Sequence, residues 1–337
     1  LGDVYKRQSK YTELELCSVD LSGEDKRELL KGKKVTEYQL SPDGKWVAYT
    51  HQNNAFVAPF LATGSQQEVG IETGGLPVAQ VSKTAGEYLH WSADSGSVGW
   101  SHAATVFQRS LNQAFSFLDG APDDLPEPVS DGIDLSFSQR ADKPESIIAL
   151  VGGQIVTMRD ADNNREIIDQ GTVLVESNRI VAVGPVEEVK VPANARKIDV
   201  TGKVLVPGFI DAHAHGSQAR SEIIPQQNWK NISSLAFGVT TIHDPSNDSS
   251  EIFSASEMQR ADHILGPRIF STGTILYGAN SPRAFAGINS YEDALFHLKR
   301  LKDMGAVSVK SYNQPRREQR QQVLKAAREL GLMVVPE

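Results

Sequence analysis

Residues 206–215, VPGFIDAHAH, are the stretch of sequence that decides the fold. This apolar segment leads through Asp211 to two histidines, His213 and His215. In a β-strand alternate side chains point the same way, at about 3.3 Å per residue, so Asp211 and both histidines share one face. Two imidazoles on one face can bind the same metal ion, although most H-x-H pairs are polar strand residues without a ligand. The stretch therefore predicts a metal site at a strand end, with unliganded strand histidines as the alternative.

Composition narrows the class of protein. A length of 337 residues suggests two or three domains, and 39% hydrophobic with 23% charged residues is typical of a globular protein. A net charge of −8 argues against nucleic acid as a partner, because phosphate binding needs clustered Lys and Arg. No apolar run approaches the roughly 18 residues of a membrane span. A single cysteine, Cys17, excludes an intramolecular disulfide and leaves the redox compartment undecided.

The chain opens with LGDVYKRQ rather than with methionine. DVYKRQ is the peptide that the transposon-end adapter of sequencing libraries encodes in one frame. We therefore expect residues 1–8 to be an assembly artefact joined to a truncated reading frame. Any signal peptide is then expected upstream of the sequence.

Residues 9–120 alternate in short segments broken by turn residues, which predicts an all-β region. SPDGKWVAYT (41–50) places a tight turn before an alternating strand, and HWSADSGSVGW (90–100) repeats this pattern about 50 residues later. The S-P-D-G-K-W-V-A string resembles blades of Tol-type and peptidase-associated β-propellers. The alternative is an unrelated β-sandwich with one chance turn match. Two or three blades cannot close a propeller, so we expect this region to be partial.

Proline-rich and acidic residues at 121–145 predict a linker between domains. Two apolar stretches follow within residues 146–206, IIALVGGQIVTM and GTVLVESNRIVAVG. We expect their turns at Gly152-Gly153 and at Ser177-Asn178, which favours a small β-sandwich.

Residues 207–337 alternate between strand and helix, as in a parallel α/β architecture. The predicted strands are 206–215, 239–244, 267–276, 306–312 and 332–337. Helices are predicted around 228–237, from Ser290 to Gly305 with a capping box at Ser290 and Asp293, and from Pro315 to Leu330.

The decamer resembles the start of the catalytic barrel in the amidohydrolase superfamily, of the imidazolonepropionase and prolidase type, where P-G-x-I-D-x-H-x-H ends barrel strand 1. The resemblance implies a multidomain chain: a partial propeller, a small β-sandwich and the first half of a (β/α)8 TIM barrel. It also implies that the active site lies at the carboxyl ends of the strands. His213 and His215 are then expected to bind a divalent metal, Zn²⁺ or a similar ion, as one or two ions.

Lys310 lies on the interior side of the predicted fourth strand, together with Tyr312. A salt bridge or an amine that reaches solvent is the ordinary explanation for such a lysine. In the superfamily a lysine at this position is commonly carboxylated by carbon dioxide, and the carbamate bridges two metals, which the resemblance implies for Lys310. Glu337 stands where the family offers a histidine on strand 5. It is either an oxygen ligand or a supporting residue.

Three further residues near strand ends are candidates for the reaction. His243, with Asp244, ends the second strand; the pair either steadies a loop or contacts the substrate and supports the site. Tyr312 can donate a hydrogen bond to a polarised carbonyl. Asp211 is expected to hold the end of strand 1 in register.

The resemblance implies metal-dependent hydrolysis of a C–N bond in an amide, cyclic amide or peptide-like substrate. Ester hydrolysis or ring deamination is the alternative within enzymes, and a propeller-based scaffold with a degenerate barrel is the alternative outside them. Half a barrel lacks the late-strand ligands, so we expect the 337-residue chain alone to be inactive. By analogy with Tol-type propellers, we expect a periplasmic or secreted location. The sequence does not indicate an oligomeric state.

Overall fold

The computed structural model describes residues 3–10, 13–71, 75–161, 164–220, 222–278, 286–312 and 316–337. The predicted helix start at Pro315 lies outside these residues. The chain forms two compact units. The first comprises Leu1–Ser138, Pro245–Phe253 and Ser271–Glu337, and the second comprises Gln139–Asp244 and Ser254–Phe270.

Three four-stranded sheets make up the N-terminal part of the first unit. Their strands are β1 (Asp3–Lys10), β2 (Glu13–Val19), β3 (Arg27–Lys33), β4 (Val35–Leu40), β5 (Trp46–His51), β6 (Asn54–Pro59), β7 (Gln67–Glu68), β8 (Ala79–Gln80), β9 (Glu87–Trp91), β10 (Ser97–His102), β11 (Thr105–Ser110) and β12 (Ile133–Asp134). The sheet orders are β1-β2-β3-β7, β4-β5-β6-β8 and β12-β11-β10-β9. Apart from the parallel pair β3 and β7, neighbouring strands run antiparallel.

The middle sheet is buried on both faces. On β5, Val47 and Tyr49 belong to a core shared with the first sheet, whereas Ala48 belongs to a core shared with the third sheet. Trp46 packs on the same side as Ala48, as alternation along a strand requires. Trp100 on β10 is fully buried in the second core. Successive sheets therefore stack face to face, because alternate side chains of one strand serve two cores.

The two predicted turns have the same hydrogen bonds. Ser41 Oγ donates to Asp43 Oδ1 at 2.6 Å and accepts from Trp46 N–H at 3.0 Å. Ser92 Oγ likewise donates to Asp94 Oδ1 at 2.6 Å and accepts from the N–H of β10's first residue at 3.0 Å. These bonds hold the pKa of both aspartates below the usual value. The repeat predicted from the sequence is thus confirmed at the level of individual bonds.

A five-stranded sheet dominates the second unit. Its strands are β13 (Ile147–Ala161), β14 (Asn164–Glu176), β15 (Arg179–Pro185), β16 (Arg196–Asp199) and β17 (Val204–Leu205). The predicted turn at Ser177 joins β14 to β15, and Ser177 has a φ of 55°. The turn predicted at Gly152-Gly153 is wrong, because both residues lie inside β13 at a break in register. Gly152 has a φ of 89°, and a Cβ on Gly153 would lie 3.0 Å from the carbonyl oxygen of Val200.

The second unit also contains the first strands of the α/β region. β18 (Phe209–Asp211) and β19 (Val239–Asp244) pair in parallel, and the sheet order continues to β20 (Arg268–Ser271). Parallel pairing puts the carboxyl ends of β18 and β19 at the same edge. That edge carries the H-x-H motif.

The later strands form a separate sheet in the first unit, with the order β22-β21-β23-β24 and parallel pairing throughout. Its strands are β21 (Leu276–Gly278), β22 (Ala286–Ile288), β23 (Ser308–Ser311) and β24 (Met333–Pro336). The strand predicted over 267–276 is therefore two strands, β20 and β21. Gly273 lies between them with a φ of 63°, and its backbone is packed against Phe253 and Leu301. That conformation interrupts the strand.

Four α-helices are present in the described part of the chain: α1 (Trp229–Ala236), α2 (Ser249–Arg260), α3 (Tyr291–Asp303) and α4 (Arg317–Leu330). A short 3₁₀ helix covers Leu111–Gln113. The capping box of α3 is present as predicted, with Ser290 and Asp293 each bonded to the other's backbone. Gly331 ends α4 in the left-handed conformation. None of the described helices combines the length and apolar character that a membrane crossing requires.

Candidate active site

The H-x-H motif lies just beyond a strand rather than on it. β18 ends at Asp211, and His213 stands in the turn that follows. The prediction that both histidines alternate along an extended strand is therefore wrong. The reason is local, because Asp211 Oδ1 accepts a hydrogen bond from His213 N–H at 3.1 Å and so closes an Asx turn.

Three consecutive residues of this turn are anchored. His213 is held by Asp211 as described, and Ala214 donates its N–H to the carbonyl oxygen of His243 at 3.0 Å. His215 Nδ1 lies 3.5 Å from Asp244 Oδ1. Asp211 thus anchors the first of these residues, the end of β19 supplies the other two anchors, and the role of Asp211 in the reaction stays a prediction.

The two imidazoles converge in spite of the turn. The ring centroids of His213 and His215 are 4.9 Å apart, with an angle of 74° between the ring planes. Both side chains are exposed, and His215 retains 53% of its side-chain surface. Two neighbouring exposed imidazoles supply nitrogen donors of the kind that Zn²⁺ commonly takes as ligands. The chemistry of these two donors thus suits a metal ion, which would need further ligands to complete its coordination.

Lys310 and Glu337 form an ion pair. The Lys310 side chain on β23 is 3% exposed, and its Nζ lies 4.8 Å from the centroid of the Tyr312 ring. The rings of Tyr312 and Tyr277 are 5.9 Å apart. A buried ammonium needs a counter-charge, and Glu337 supplies it. The salt bridge, which is the ordinary explanation for this lysine, is what the structure shows for the unmodified side chain.

The predicted site residues thus fall into two groups. His213, His215, Asp211 and His243 belong to the second compact unit, whereas the Lys310 group belongs to the first. Within the described ranges, no group of three or more His, Cys, Asp and Glu side chains is arranged to hold a metal. The roles assigned to individual residues therefore stay predictions.

The sequence did not indicate that Lys230 lies beside the motif. A Cβ placed on Gly216 would lie 2.5 Å from Lys230 Nζ, so the glycine makes room for the amine directly after His215. A glycine that immediately follows the second histidine is the signal that points to this approach. Nor did the sequence indicate the deep burial of Asp244, whose side chain is 2% exposed.

Comparison with curated proteins finds enzymes. The chain is 40% identical over 72 residues to an imidazolonepropionase of Fusobacterium nucleatum, a match that covers 19% of this chain and 17% of the relative. It is 33% identical over 70 residues to a 5-methylthioadenosine/S-adenosylhomocysteine deaminase of Symbiobacterium thermophilum, covering 21% and 15%. A longer match, to an imidazolonepropionase of Yersinia pestis, is 28% identical over 183 residues and covers 53% and 37%.

These relatives confirm the predicted resemblance to imidazolonepropionases and to enzymes that act on C–N bonds. The matches span between about a seventh and two fifths of the relatives' length. No known protein-family model matches the chain.

Solved structures give weaker likenesses. Phenylurea hydrolase B is 19% identical with a TM-score of 0.46, covering 57% of this chain and 55% of that one. A prolidase complexed with N-methylphosphonate-L-proline is 20% identical with a TM-score of 0.45, covering 57% and 56%. TM-scores this low do not establish a shared fold.

Proposed function

We propose that this chain is part of a metal-dependent hydrolase that cleaves a C–N bond in an amide, cyclic amide or peptide-like small molecule. The convergence of His213 and His215 at the carboxyl edge of a parallel β-sheet carries the proposal. Such edges are where α/β enzymes place their ligand and metal sites. The relatives named as imidazolonepropionase and deaminase support the same chemistry.

His213 and His215 would hold the metal, which we propose to be Zn²⁺. When bound, a divalent metal lowers the pKa of a coordinated water and polarises a carbonyl oxygen. In the second unit, Asp211 and the end of β19 would fix the turn, and His243 would contact the substrate. Tyr312, in the first unit, is proposed as a hydrogen-bond donor to a polarised carbonyl.

We further propose that Lys310 is carboxylated in the active protein. The side chain is buried on β23 and faces one carboxylate, a place where a carbamate with metal ions could replace the ion pair. Carboxylation would put an anion beside Glu337, and two adjacent carboxylates need cations between them. The charge at this buried position can thus be balanced in two ways. In the unmodified protein Lys310 pairs with Glu337, and in the carboxylated protein the carbamate and Glu337 would both be metal ligands.

The architecture we propose is a partial propeller, a small β-sandwich and the first half of a (β/α)8 barrel. Three stacked four-stranded sheets with a repeated turn support blades, and the alternation of parallel strands with α1 to α4 supports the barrel. By analogy with propellers of the same kind, we propose a periplasmic or secreted location.

Zinc titration of the purified chain tests the proposal. We expect Zn²⁺ to bind, as measured by calorimetry, and His213→Ala and His215→Ala each to weaken binding by more than about 100-fold, because each removes a ligand. His263→Ala is the matched control, since the ring of this exposed histidine in the same unit is bonded to Gln139 and lies outside the motif. A wild-type chain that binds no metal would overturn the enzyme proposal and favour the scaffold alternative.

A further inference from the structure

We propose that Asp244 is a positioning residue that sets the tautomer and orientation of the His215 imidazole. The inference rests on the proposed function, because its purpose is to present one ring nitrogen to a metal. Asp244 touches neither metal nor substrate in this assignment, and it acts only through His215.

The Asp244 carboxylate is buried, and the His215 ring beside it is exposed. The Asp244 side chain is 2% exposed, whereas His215, 3.5 Å away, is 53% exposed. A carboxylate removed from water needs hydrogen-bond donors, and the His215 ring offers one from the solvent side. The distance is longer than the usual 2.9 Å or so, and catalytic hydrogen bonds in unliganded sites commonly tighten once the site is filled.

In this proposal the Asp244 carboxylate determines which nitrogen of the His215 ring carries the hydrogen. An ionised carboxylate only accepts, so a hydrogen bond between the two side chains requires the hydrogen on the ring nitrogen that faces the carboxylate. That nitrogen is Nδ1, which leaves the lone pair on Nε2. Free histidine prefers the opposite tautomer, with the hydrogen on Nε2. Asp244 therefore selects the form in which Nε2 of His215 can bind a metal.

Packing and hydrogen bonds fix the backbone on both sides of the contact between Asp244 and His215. Asp244 is the last residue of β19, and Ile242, two positions earlier, is 2% exposed and anchors the strand. The neighbouring bond from Ala214 N–H to the His243 carbonyl ties the motif to the same strand end. The backbone segments that carry the carboxylate and the ring are thus both fixed before a metal binds.

Nitrogen-15 NMR of the metal-free chain measures the tautomer directly. The chain has eight histidines, and a His215→Gln spectrum identifies the signal of interest. The spectra are recorded at about pH 8.5, two units above the usual pKa of a histidine side chain. We expect wild-type His215 to carry its hydrogen on Nδ1 and the Asp244→Ala variant to revert to the Nε2–H form. A wild-type ring protonated on Nε2, or a variant without change, overturns the inference.

Zinc affinity separates this inference from the proposed function. We expect Asp244→Ala to bind Zn²⁺ about 10- to 100-fold more weakly than wild type. Asp199→Ala, which removes an exposed carboxylate bonded to Thr201 in the same unit, should leave affinity unchanged. Unchanged affinity in Asp244→Ala refutes the positioning role alone, whereas a wild-type chain without affinity refutes the metal site. If Asp244→Ala does not fold, the wild-type tautomer still decides.

Discussion

Replacing Gly273 by alanine should destabilise the first unit strongly. Gly273 has a φ of 63°, where an L side chain costs roughly 1–2 kcal/mol. Its added Cβ would also lie 2.7 Å from Ser249 Oγ, 2.9 Å from the Phe253 ring and 3.0 Å from the Leu301 side chain. Overpacking of that kind costs about 1–3 kcal/mol more. We therefore expect a total loss of about 2–5 kcal/mol.

Gly331→Ala is the matched control. Gly331 has a similar φ of 69°, but no atom lies within 4 Å of the position that its Cβ would take. This variant should therefore lose only the backbone contribution of roughly 1–2 kcal/mol. The difference between the two variants isolates the crowding at Gly273.

Urea unfolding followed by tryptophan fluorescence provides the assay. A Trp229→Phe background leaves the three remaining tryptophans in the first unit as reporters. The free energies of unfolding come from midpoints at constant slope. Equal losses in Gly273→Ala and Gly331→Ala would refute the argument that packing around Gly273 forces the break between β20 and β21.

Two further predictions concern stability. Ser41→Ala and Ser92→Ala should each lose about 1–2 kcal/mol in urea unfolding, because each removes the two hydrogen bonds that both turns share, and a variant without loss would contradict their role in closing the turns. Burial lowers the pKa of His51 to about 4 and of His297 to about 3, from 6.5. Between about pH 4 and 6.5 only the unfolded state binds these protons, so stability should rise with pH by about 1.4 kcal/mol per unit for each histidine, and His51→Gln should reduce that slope.

Local signals in the sequence predicted much of the secondary structure. The Ser290 and Asp293 capping box is present, and the helix predicted to end at Leu330 does end there, before the left-handed Gly331. Both helix ends depend on residues within one turn of each other. The turn at Ser41 and its copy at Ser92 were likewise readable from a few neighbouring residues.

Features that depend on distant packing were not predictable in this way. Gly152 resembles a turn residue, yet it forms a bulge inside β13 because the chain near Val200 approaches the neighbouring glycine. The break at Gly273 depends on Leu301, far along the sequence. The spacing of the H-x-H motif predicted that the two rings lie close together. The Asx turn at Asp211 and the burial of Asp244 depend on the folded chain and cannot be derived from residue spacing.

The bonded turns at Ser41 and Ser92 bear on how the N-terminal region can change in length. In each turn the serine hydroxyl is bonded to the aspartate of the same turn. The middle sheet, which lies between the other two, buries both of its faces. A tandem duplication of one repeat would therefore bring its own turn chemistry and two faces suited to stacking. Gene duplication could add or remove whole sheets here without redesign of the turns, whereas a partial repeat would leave an apolar face uncovered.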